Sequence, residues 1–107
     1  MNNTPLLKPG LLITTITIFD GDNIPLVTSG QVTFEGVTVI RVNEVGKSLL
    51  EMANGKTTVD EMIESLSLED FSAEVAMFFV KLGQSGFLQE KFEVEIYKKD
   101  NPRGSRN

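Results

Sequence analysis

The hydrophobic pattern divides the chain into a β-like first part and a helical second part. Residues 11–19 read LLITTITIF, rich in the β-branched residues that suit a pleated surface, and predict a first strand. Asp20-Gly21-Asp22-Asn23 interrupts it with turn formers, and Pro25 is expected to keep residues 24–27 at a sheet edge or outside a ladder. Ser29-Gly30 punctuates again. Residues 31–43 read QVTFEGVTVIRVN, two β-rich runs around Glu35-Gly36 that signal a hairpin. With a two-residue turn Phe34 faces Val37 and Val32 faces Val39, which gives one apolar face. A left-handed bulge at Gly36 would slip the pairing by one, so the first register is preferred.

From Asn43 the apolar period changes from two to about 3.6. Val45, Leu49 and Met52 form the stripe of a short first helix, with Asn43 placed to cap it and Gly55 to end it. Thr58 and Glu61 make a capping box for a second helix, whose stripe is Val59, Met62, Ile63 and Leu66. Ser72 is expected to cap a third helix that Gly86 stops. Its Val75, Ala76, Met77, Phe78, Phe79, Val80 and Leu82 wrap around too much of the cylinder for one face. Residues 92–97 alternate as FEVEIY and predict a further C-terminal strand. Residues 1–10 and 98–107 are polar and expected to be flexible, which leaves a core of about residues 11–97.

Composition narrows the chemistry. At 107 residues with 40% hydrophobic content, one α+β domain is expected. The chain has no Cys, His or Trp, which removes the imidazole base, the thiolate and the commonest soft metal ligands, so no cofactor is expected. A formal charge of −5 disfavours nucleic acid. No apolar run is long enough to span a bilayer and no basic leader opens the chain, so the cytoplasm is the expected compartment and no membrane partner is expected.

Each candidate for chemistry has a plainer explanation. Asp20 and Asp22 lack the further oxygens of a calcium loop and fit turn chemistry. Glu61, Glu64, Glu69, Asp70 and Glu74 fall at helix starts or outward positions, where dipole matching and solvation account for them. Ser29, Ser48, Ser65 and Ser85 have no imidazole to activate them. No enzyme is expected. The helices followed by an alternating strand also suggest a winged helix acting in transcription or in structural dimerisation. For DNA, however, the third helix carries only Lys81 as a cation.

The helical part nevertheless carries a recognisable set of motifs: Val42-Asn43 before the first helix, Asn54-Gly55 after it, Thr58-Val59 with Glu61 in the second, and Glu74-Val75, Phe78-Phe79, Leu82 and Gly86-Phe87-Leu88 in and after the third. Over residues 42–88 the chain resembles the PqqD-like family, relatives of the pyrroloquinoline quinone biosynthesis protein D that serve as recognition elements for ribosomally made, post-translationally modified peptides. The resemblance implies an N-terminal antiparallel three-stranded sheet followed by three helices in a winged-helix-like arrangement. It implies a non-catalytic protein that binds the leader of a precursor peptide and presents it to a modifying enzyme, often of the radical-SAM type. The leader is expected as an added strand on the third strand, beside the third helix. The expected peptide-binding residues are Val37, Val39 and Arg41 on the strand and Val75, Phe78, Phe79 and Leu82 on the helix. The strand-like residues 92–97 could occupy that same edge, or share it in a homodimer.

Overall fold

A computed structural model describes residues 4–90 and shows an α+β chain. The elements are β1 (Leu11–Phe19), β2 (Pro25–Phe34), β3 (Val37–Asn43), α1 (Glu44–Glu51), α2 (Val59–Ser65), a 3-10 turn (Glu69–Phe71) and α3 (Ser72–Gln84). The expected strand at residues 92–97 lies outside the described residues. The chain falls into two compact units, one of Lys8–Met52 and one of Met1–Leu7 with Ala53–Asn107. No helix among the described residues is long and apolar enough to cross a membrane.

In the first unit β1, β2 and β3 pair antiparallel in that order. Pro25 is the first residue of β2, where a missing N–H is tolerated, and residues 25–28 pair with β1 alone, which is the edge position the sequence allows; from Ser29 to Phe34 β2 is the central strand. Gly30 marks a close approach, because a Cβ there would lie 2.8 Å from the Cβ of Lys47 on α1. Asp20 closes the β1–β2 loop as an Asx turn: one carboxylate oxygen accepts from the Asp22 N–H at 2.7 Å and the Ile24 N–H at 2.9 Å.

Helix α1 starts where expected, with Asn43 Oδ1 accepting from the Gly46 N–H at 2.8 Å. Its buried face is not the expected Val45-Leu49-Met52 stripe. Gly46, Leu49 and Leu50 are buried while Val45 is exposed, so the helix is rotated to set its glycine against the sheet. A Cβ at Gly46 would stand 2.8 Å from the Val42 Cβ, so this turn of the helix has room for glycine alone. The helix ends at Glu51, before Gly55.

In the second unit Gly55 serves a loop. Its φ is +80° and its N–H donates to the Pro5 carbonyl at 2.9 Å. Leu6 and Leu7, in a stretch without strand signal, bridge to Asn54 and Leu88 and tie the chain start to both ends of the helical segment. The Thr58–Glu61 capping box forms in both directions, at 3.1 and 2.8 Å. Helix α2 buries Val59, Met62 and Ile63 and packs on α3.

Ser72 does not cap α3. The 3-10 turn runs into the helix and makes Ser72 its first residue, with no side-chain cap. Both α2 and α3 end in Schellman motifs: Leu68 N–H donates to Ile63 C=O and Ser67 N–H to Glu64 C=O, while Phe87 N–H donates to Leu82 C=O and Gly86 N–H to Gly83 C=O.

Candidate functional site

The Glu35-Gly36 turn sets the geometry of β3. Both residues have positive φ, +52° and +84°, which is the type I′ conformation whose twist suits a two-residue hairpin. Such a turn brings the Val37 N–H to the Phe34 carbonyl. Phe34 pairs with Val37, as the preferred register requires, but Val32 pairs with Ile40 and not with Val39. One residue is extra. Val39 is the bulged position, so the expected continuous apolar face stops there.

Alternate residues of an antiparallel strand direct their N–H and C=O groups to opposite sides. Along β2 from Ser29 to Phe34, where no residue of β2 is extra, Phe34, Val32 and Gly30 therefore address β3, while Thr33, Gln31 and Ser29 address β1. The turn at the start of β1 agrees, since the Leu11 N–H donates back to Lys8 C=O at 3.4 Å and does not cross to its partner Phe34. On β3, Val37, Ile40 and Val42 are used by the sheet. Thr38 and Arg41 point their backbone groups outward. Among the described residues no strand pairs with that outer edge.

The side chains along this edge are of two kinds. Val37 is 63% and Val39 40% exposed, whereas Ile40 and Val42 are half-buried. Thr38 Oγ1 donates to Gln31 Oε1 at 3.3 Å, on the same sheet face as Arg41. Arg41 is exposed and makes no ion pair among the described residues. The edge thus offers main-chain donors and acceptors, two exposed valines and one free guanidinium.

The expected helix residues lie in the other unit, on α3. Val75, Phe79 and Leu82 are buried and Phe78 is half-buried, its ring edge-on to Phe79 with centroids 5.3 Å apart. The apolar surplus of α3 is thus mostly core. Sequence reasoning missed the bulge at Val39, which has no Gly or Pro to mark it. Among the described residues no group of His, Cys, Asp and Glu could hold a metal ion.

Compared with known proteins, the chain matches no family model, no curated protein and no solved structure.

Proposed function

We propose that this chain is a non-catalytic peptide-binding module that takes up the leader of a ribosomally made precursor as an added strand along β3 and presents it to a modifying enzyme. The observation that carries the reading is the outer edge of β3, where Thr38 and Arg41 offer outward backbone groups between exposed Val37, Val39 and the Arg41 side chain. Strand addition draws its affinity from main-chain hydrogen bonds and its selectivity from alternate side chains. The bulge restricts the register, because the outward groups of Thr38 and Arg41 are three residues apart where a regular strand would space them by two. Arg41 favours a leader with a carboxylate at the position beside it. Of the expected helix residues in the other unit, Val75, Phe79 and Leu82 serve its core, so the reading rests on β3. The radical-SAM character of the enzyme and the winged-helix-like arrangement belong to the same proposal and follow the PqqD-like resemblance.

Arg41→Pro tests the edge. Its N–H faces away from the sheet, a place where an edge strand accepts proline, so the fold is expected to persist while the donor disappears. Titrating a candidate leader peptide, from a precursor encoded beside this chain, should shift the amide signals of residues 37–43. Arg41→Pro should weaken binding at least ~10-fold, and Arg41→Ala less. Full affinity in folded Arg41→Pro, or shifts confined to other elements, would overturn the reading.

A further inference from the structure

The opposite edge of the sheet differs in chemistry. β1 runs nine residues without Asp, Glu, Lys, Arg or Pro, and its side of the β1–β2 ladder stays regular as far as Ile18. Sheet edges are ordinarily protected by charge, proline, a bulge or short length, and β3 has both a bulge and Arg41. β1 has none of these. Leu12 is 65% and Ile18 54% exposed, and Thr14 and Thr15 are exposed between them.

By the alternation derived above, Leu12, Thr14, Ile16 and Ile18 bond to β2, while Ile13, Thr15 and Thr17 turn their N–H and C=O groups outward. Thr15 is the middle residue of LLITTITIF, which carries two large apolar residues at each end and only isoleucine and threonine between. Folding the strand on itself at that point sets Leu11 against Phe19, Leu12 against Ile18, Ile13 against Thr17 and Thr14 against Ile16. A strand with these properties complements its own antiparallel copy.

We infer that β1 is a self-pairing edge, through which two copies of this chain join as a two-fold dimer centred on Thr15. The outward groups of Ile13, Thr15 and Thr17 meet Thr17, Thr15 and Ile13 of the second copy as hydrogen-bonded pairs. Leu12 meets Ile18 of the second copy as a non-hydrogen-bonded pair, the closer of the two kinds, and the two most exposed large apolar side chains of the strand cover each other. The ends of the strand favour this direction of pairing. Lys8 precedes one end, and Asp20 and Asp22 follow the other. Antiparallel pairing places each cation beside the second copy's carboxylates, whereas parallel pairing would set like charges together. The dimer leaves β3 free, so it is independent of the peptide-binding proposal.

The test is the mass of the full chain by sedimentation equilibrium over a range of concentrations. The expected result is a shift from 11.8 kDa toward twice that mass. Thr15→Pro removes an outward N–H at the two-fold axis that no strand among the described residues uses, and it should raise the dimer dissociation constant at least ~10-fold while the circular dichroism spectrum is retained. Leu12→Lys should also weaken the dimer. The pair Leu12→Lys with Ile18→Glu should restore it, because each new lysine then faces a new glutamate of the other copy in this register and in no register shifted by two. A monomer at every concentration would overturn the inference. So would a dimer indifferent to Thr15→Pro, a dimer dissociated by Arg41→Pro, or a charge pair that fails to restore association.

Discussion

Gly46 and Val42 touch as backbone and side chain: a Cβ on Gly46 would lie 2.8 Å from the Val42 Cβ, and Val42 cannot retreat because β3 holds it. Leu49 and Leu50, one turn further along α1, are in the core. Two effects then compete in Gly46→Ala. Alanine favours the helix by about 1 kcal/mol, and the clash costs about 1–3 kcal/mol. The clash is expected to win, so the urea midpoint falls; an unchanged or raised midpoint would contradict the close contact.

Adjacent phenylalanines on α3 should behave differently. Phe79 has no exposed surface and Phe78 is half-buried. Phe79→Ala is expected to cost about 3–5 kcal/mol of stability through lost transfer energy and an unfilled cavity. Phe78→Ala should cost markedly less, because part of its ring is already in water. Equal losses in chemical denaturation would show that the two rings share one environment.

Ser67 occupies the left-handed position of the Schellman motif after α2, at φ +56°. Glycine takes up this conformation without the steric strain a Cβ brings. Ser67→Gly should therefore raise stability by about 0.5–1 kcal/mol, after allowing for the greater freedom of glycine in the unfolded chain. A lowered thermal midpoint would rule this out.

At the β2–β3 turn Glu35 sits at φ +52°, in a type I′ position where asparagine is preferred. Glu35→Asn should stabilise the hairpin by about 0.5 kcal/mol. Amide exchange of Val37 and Ile40, whose N–H groups face β2, should slow in the variant. Faster exchange there would mean that the turn is not of this type.

These positions also show which signals were legible. The capping box at Thr58 and Glu61, the Asn43 cap and the Asp20 turn were readable because each is closed by hydrogen bonds within four residues of sequence. The Ser72 cap failed because the 3-10 turn before it already continues into the helix, leaving no extended residue to carry a capping side chain. On the candidate edge, the exposure of Val37, Val39 and Arg41 on one strand followed the expected hairpin, but the bulge did not, since nothing in QVTFEGVTVIRVN distinguishes Val39 from Val37.

By itself the sequence determined many local conformations: β-branched runs became strands, the Glu35-Gly36 pair became a two-residue turn, Asn43 and Thr58 capped α1 and α2 and Gly86 stopped α3, because each depends on sterics and hydrogen bonds among near neighbours. Tertiary structure alone decided which strand lies in the centre of the sheet, which face of α1 is buried and which backbone groups face outward. Gly30 shows the reason. It has no hydrophobic side chain to signal burial, and its role arises only when Lys47 on α1 is brought against it.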